Sequence, residues 1–131
     1  MRLLLDTHII LWAITDSPSL PRTAAMMMRE PGNDILASSI NVWEIAVKFA
    51  VNRGLADDMP VNADRALELI RSATYELLPV EPEHAVALGK LPLIHRDPFD
   101  RLLVAQALHE GITLLTSDRK LAAYGDFVMV V

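Results

Sequence analysis

Apolar residues in this chain come in short runs, and polar or turn-forming residues punctuate them every ten to fifteen positions or so. Residues 2–5 place Leu3, Leu4 and Leu5 directly before Asp6, the pattern of a strand buried on both faces. Residues 8–14 predict a short helix. Ser19 offers an N-cap and Pro21 an early helical position for a second helix, which runs to about residue 30, where Pro31-Gly32 stops it. Residues 34–38 read as the next strand. A helix over residues 41–53 puts Val42, Ile45, Ala46 and Phe49 on one face, with Gly54 as its terminator. Residues 54–62 form a loop, 63–73 a helix, 75–79 a short strand and 82–90 a helix. Asp97 caps a helix with Pro98 in its first position, and that helix reaches residue 110 before Gly111 ends it. Residues 112–116 are a strand, 118–124 a last helical turn or two, and 127–131 a closing strand.

Strands that alternate with helices predict an α/β fold, a parallel sheet covered on both faces. No repeat or linker-like stretch interrupts residues 1–131, which read as a single domain. In such sheets ligands bind outside the carboxyl ends of the strands, so residues just after strands are the ones to inspect.

Composition narrows the function classes. Hydrophobic residues make up 52% and charged residues 22%, with a mean hydropathy of +0.28, which excludes intrinsic disorder. No apolar run approaches the length of a membrane span, and Asp6 interrupts the N-terminal run too early for a signal peptide. The absence of cysteine removes disulfides, thiolate nucleophiles and Cys-ligated zinc. A cytoplasmic location is the expectation. The net charge of −5 argues against a bulk electrostatic grip on nucleic acid. It leaves room for a nuclease, whose metal-binding acids would supply part of that charge.

The acids fall at the predicted sheet edge. Asp6 ends the first strand, and Asp118 follows the 112–116 strand. Glu44 sits near the start of the helix after the second strand, and Asp97 and Asp100 begin the helix before the 112–116 strand. Most have a plainer explanation: Glu44 stands at capping-box spacing from Asn41 and four residues before Lys48. Asp97 suits an N-cap, Asp100 a first helical turn, and Asp118 the cap of the following helix. Asp6 alone resists a capping explanation on sequence. Convergence weighs the other way, since two carboxylates about 6 Å apart repel by roughly 3 kcal/mol at an effective dielectric of about 20. Four such acids together call for a cation, and an all-oxygen set suits Mg²⁺ or Mn²⁺ better than zinc or copper.

Several segments together resemble the motifs of PIN-domain ribonucleases, and most of all those of VapC-type toxins. They are Asp6-Thr7-His8, Val42-Trp43-Glu44-Ile45, the stretch from His95 to Ala107, and Leu115-Thr116-Ser117-Asp118. The resemblance implies a three-layer α/β/α fold around a central, mostly parallel sheet. It also implies Mg²⁺ or Mn²⁺ held by Asp6, Glu44, Asp100 and Asp118 as the catalytic and metal-binding acids. Asp97 would then be mainly a cap, while Thr116 and Ser38 would orient ligands or water. The implied activity is hydrolysis of RNA phosphodiesters, and the implied partners are an antitoxin protein and a second copy of the chain.

An RNA substrate needs local positive charge, and Arg96, Arg101, Arg119 and Lys120 flank the acids. Single-stranded RNA is the expected target. His8 and His95 lack zinc-motif spacing and read as packing or hydrogen-bonding residues. Met26-Met27-Met28 cannot all face inward on a helix, and Trp12 and Trp43 are expected in the core. Two other readings stay open: a related RNA-processing nuclease without an antitoxin, and a phosphoacceptor signalling module. The second would want adjacent acids after the first strand, where Asp6 is followed by Thr7-His8.

Overall fold

The computed structural model describes residues 1–131 throughout. Five strands, β1 (Arg2–Leu5), β2 (Asp34–Ser38), β3 (Glu76–Leu78), β4 (Thr113–Thr116) and β5 (Val128–Val130), form one sheet in the order β3-β2-β1-β4-β5. Every pairing is parallel, with Leu4 opposite both Leu36 and Leu114 and Thr116 opposite Val130. The chain builds outward from β1 through β2 to β3, then returns to the other side of β1 for β4 and β5. That reversal puts a topological switch point at the carboxyl end of β1.

Six α-helices cover the sheet: α1 (Thr7–Ile14), α2 (Arg22–Arg29), α3 (Ser39–Phe49), α4 (Ala63–Ser72), α5 (Pro82–Lys90) and α6 (Pro98–Glu110). The period-two alternation of the strands sorts the core into two layers. Leu4, Leu36 and Leu114 pack with Leu103, Val104 and Ala107 of α6. Leu5, Ala37 and Leu115 face the other way, against Ile9 and Ile10 of α1, Ala24 of α2 and Ile70 of α4. The result is a three-layer α/β/α arrangement. No helix is long and apolar enough to cross a membrane.

Helix α6 begins and ends where its local chemistry dictates. Asp97 Oδ1 accepts the N–H groups of Phe99 and Asp100, Pro98 fills the first position, and Gly111 closes the helix at φ +67°. Helix α3 departs from expectation at both ends. Ser38 caps it and Asn41 reciprocates in a capping box, so Glu44 lies in the second turn and is not part of the cap. The helix stops at Phe49, ahead of Gly54, because Asp58 gathers the N–H groups of Arg53, Gly54 and Leu55 into a separate loop. Its inward face carries Ile40, Asn41, Glu44 and Ile45. Trp43 and Val47 point to solvent, against the expectation of a buried Trp43. Helix α2 starts after Pro21 with no side-chain cap, so Ser19 does not fill that role. Met26 is exposed, while Met27 and Met28 pack against the core. The last helical segment is a 3-10 turn over Arg119–Tyr124.

Candidate metal centre

The residues singled out by sequence meet at the carboxyl edge of the sheet, beside the switch point. Asp6 follows β1 and, contrary to the sequence expectation, is also a cap: its Oδ1 accepts the Ile9 N–H at 2.9 Å. Its Oδ2 accepts from the Thr116 hydroxyl at the end of β4. The same Thr116 oxygen accepts the Asp118 N–H at 3.0 Å, so one side chain ties two of the acids together. Burial raises the Asp6 carboxyl above its ordinary value, against the lowering effect of the Thr116 and Ile9 hydrogen bonds.

Glu44 is 3% exposed, yet every one of its oxygens has a partner. Oε1 accepts from the Thr7 hydroxyl at 2.6 Å, and Oε2 pairs with Lys48 one turn along α3. The ammonium of Lys48 is held above its usual range: burial works against the charge, and Glu44, Asp97 and Asp100 outweigh it. Thr7 and Lys48 therefore fix the carboxylate whose plainer sequence explanation was a capping box.

Asp100, on the first turn of α6, is the acid most disturbed by its surroundings. Burial, then the charges of Asp97, Glu44 and Asp6, push its carboxyl up to about 7, with His95 pulling the other way. Asp118 Oδ2 lies 3.1 Å from His95 Nε2, and Asp100 Oδ2 is 3.8 Å from the same nitrogen. His95 Nδ1 accepts the Asp97 N–H at 3.1 Å, which assigns the proton to Nε2 and makes His95 a donor to Asp118.

Nitrogen or oxygen atoms of His95, Asp100 and Asp118 all lie within 4.8 Å of one another. With its proton on Nε2, His95 takes part as a donor to Asp118, the hydrogen-bonding role expected from the sequence. Asp6 and Glu44 lie outside that group, engaged by Thr116 and Thr7. The donor set fits a hard divalent cation: carboxylates dominate, and Asp100 carries like-charge pressure that a cation would relieve. Thr7 and Asn41 support Glu44. On sequence Thr7 stood only as part of the Asp6-Thr7-His8 segment and Asn41 only as a capping partner at helical spacing, so neither role was assigned.

Ser38 is buried and bonded to Gln106, and it reaches Glu44 only through Asn41 and Thr7. Arg96, Arg119 and Lys120 are exposed and carry no ion pair. Arg101 is partly buried instead: Nη2 donates to the Leu91 carbonyl at 3.5 Å, and its Nε is buried without a partner. On the rim, Trp43 is 54% exposed and meets Phe99 edge-on, with ring centroids 4.9 Å apart.

The PIN domain family model matches residues 3–126 of the chain. Among solved structures, the chain is similar to VapBC2 from Rickettsia felis, bound to a DNA fragment from their promoter, at 19% identity and a TM-score of 0.70. That match covers 100% of this chain and 98% of the other. DNA-bound VapBC from Salmonella typhimurium matches at 15% identity and a TM-score of 0.64, over 100% of this chain and 97% of that one. FitAcB from Neisseria gonorrhoeae follows at 16% identity and 0.62, over 98% and 96%. No curated relative matches by sequence.

Proposed function

Since this chain belongs to the PIN domain family, whose members are nucleases, we propose that it is an Mg²⁺- or Mn²⁺-dependent endoribonuclease and the toxin of a toxin–antitoxin pair. The observation that carries the reading is Asp100, driven up to about 7 by burial and by three neighbouring acids at the sheet's carboxyl edge. Such pressure is costly in a merely structural site and useful where a cation is to bind.

Asp6, Glu44, Asp100 and Asp118 would hold the ion. When bound, the cation supplies positive charge that eases proton loss from the attacking water and offsets the charge growing on the phosphoryl and leaving oxygens. The chain supplies orientation. Thr116 aims Asp6, Thr7 and Lys48 aim Glu44, and His95 aims Asp118, so three of the four carboxylates are oriented by a hydrogen-bond or ion-pair partner. Arg96, Arg119 and Lys120 flank the acids with unpaired charge suited to RNA phosphates, which would position the strand without reading its bases. The exposed face of Trp43 suits stacking by an unpaired base, as single-stranded RNA recognition uses.

Three of the similar structures are toxin–antitoxin assemblies, VapBC2, VapBC and one described as a toxin–antitoxin complex from Klebsiella pneumoniae. Their likeness supports an antitoxin as the protein partner, and a homodimer is proposed with it. Expression of the chain alone, followed by sequencing of new RNA 5′ ends, tests the reading. Discrete cleavage sites lost in Asp100→Asn support it, and an unchanged RNA profile overturns it.

A further inference from the structure

A run of hydrogen bonds, partly buried at its start and buried from Gln106 onward to Glu44, connects the far end of α6 with Glu44. Glu110, in the last turn of α6, lies 2.8 Å from His84 Nε2. His84 is fully buried on α5, and its Nδ1 accepts the Glu81 N–H at 2.9 Å, which leaves Nε2 as the donor to Glu110. Gln106, fully buried on α6, sets its Nε2 3.3 Å from both His84 Nδ1 and the Pro79 carbonyl. Its Oε1 accepts from the Ser38 hydroxyl at 2.5 Å. Ser38 then caps α3: its Oγ accepts the Ile40 N–H at 3.0 Å, and its N–H donates to Asn41 Oδ1 at 2.6 Å. Asn41 Nδ2 donates to Thr7 Oγ1 at 3.0 Å, and Thr7 donates to Glu44 Oε1 at 2.6 Å.

Every orientation in this run is forced. The Pro79 carbonyl can only accept, so Gln106 presents its NH₂ there and its oxygen to Ser38. The Ser38 N–H can only donate, so Asn41 presents its oxygen and turns its NH₂ to Thr7. Thr7 accepts that N–H, so its own hydroxyl hydrogen is donated to Glu44. Helices α3 and α6 otherwise share an apolar cluster that includes Ile40 and Leu103 and the edge-on Trp43–Phe99 pair, packing far less directional than a buried hydrogen bond. The Ser38–Gln106 bond is directional, buried, and costly to leave half made.

We propose that Gln106 is a positioning residue. By joining α6 to the cap of α3 through Ser38, it sets the separation between Asp100 on one helix and Glu44 on the other. This rests on the reading of those acids as metal ligands. His84 and the Pro79 carbonyl hold the Gln106 amide in the required sense.

Isothermal titration of the full chain with Mn²⁺ tests it, on wild type, Gln106→Met, Glu44→Gln and the double variant. Methionine keeps the volume and removes the directional bond. Gln106→Met is expected to raise the Mn²⁺ Kd about tenfold, as loss of a ligand-supporting partner does. In the Glu44→Gln background the same change is expected to alter Kd by less than about twofold, since the acid being positioned is gone. A purely structural role would lower the melting temperature and leave these affinities alone. Should Gln106→Met fail to fold, Ser38→Ala cuts the same bond from the other side and is expected to weaken Mn²⁺ likewise. Wild-type affinity in the folded variant, or an equal loss in the Glu44→Gln background, overturns the proposal alone. A wild type that binds no Mn²⁺ overturns the metal reading, and the proposal falls with it.

Discussion

Asp97 accepts the backbone N–H of Asp100 at 3.2 Å, so the carboxylate that starts α6 also presses its charge on the acid one turn inside. Next to burial, Asp97 is the strongest influence holding the Asp100 carboxyl up at about 7. Asparagine caps helices as well as aspartate does. Asp97→Asn should therefore keep α6 intact while lowering the Asp100 pKa, which carboxyl-carbon NMR titration can follow. Asp100→Asn should abolish cleavage. If Asp97→Asn is equally inactive while folded, the ligand within this motif has been misassigned.

The pH dependence of stability follows from the same shifts. Asp100 and Asp6 are both raised, burial being the first cause for each. Between an unfolded value of about 3.9 and the raised folded one, the native state binds more protons than the unfolded state. Stability from these groups is therefore present at low pH and lost as pH rises through about 7. In EDTA, wild-type melting temperature should increase from about pH 7.5 down to about pH 5, and Asp100→Asn should flatten that rise. A melting temperature that falls over this range in wild type and variant alike contradicts the shifts.

Asp6 separates its two roles by substitution. Asp6→Asn keeps the Oδ1 that caps α1 and removes charge from the cluster. It should raise the melting temperature in EDTA and shrink the gain on adding Mn²⁺. Asp6→Ala also loses the cap, at a cost of about 1 kcal/mol, and should offset that gain. An Asp6→Asn protein that melts below wild type in EDTA and still responds fully to Mn²⁺ would argue against a shared cation site.

Where the sequence was legible, local chemistry and tertiary structure agreed. Helix α6 was readable because Asp97, Pro98 and Gly111 each specify a helix end on their own. The parallel sheet was readable from Leu3-Leu4-Leu5 and the strands like it. Helix α3 was not, because its site-facing side is half polar and its apolar Trp43 and Val47 face water. The predicted face held at Ile45, which is buried, and at Val42, which packs against the core, but not at Ala46 and Phe49, which are exposed; Ser38 was missed as the cap because Asn41 offered a competing one. The pairing of His95 was hidden for another reason: its partner Asp118 is 23 residues away, and only the return of the chain to β4 brings them together. The four acids were singled out by their motifs, whereas the bonds by which Thr7 and Asn41 reach Glu44 and His95 reaches Asp118 are visible only in three dimensions.

Lys48 is the cation the chain itself supplies. It pairs with Glu44, whose side chain is 3% exposed while that of Lys48 is 41% exposed. Lys48→Met strands a buried carboxylate and should destabilise the metal-free protein by about 1–3 kcal/mol, reduced from the fully buried case by the exposure of the lysine. Mn²⁺ should recover more stability in this variant than in wild type. Chemical denaturation with and without Mn²⁺ measures both, and an unaltered variant would show that Glu44 does not depend on the pair.

The central claim is that the acids gathered around Asp100 cut RNA with a divalent ion. The most direct measurement is cleavage of a single-stranded RNA by purified protein in Mn²⁺, in excess EDTA, and by Asp100→Asn in Mn²⁺. The account predicts cleavage in the first case and none in the other two, with Asp100→Asn still folded by melting. Cleavage that persists in thoroughly chelated wild type, or in folded Asp100→Asn, would contradict it.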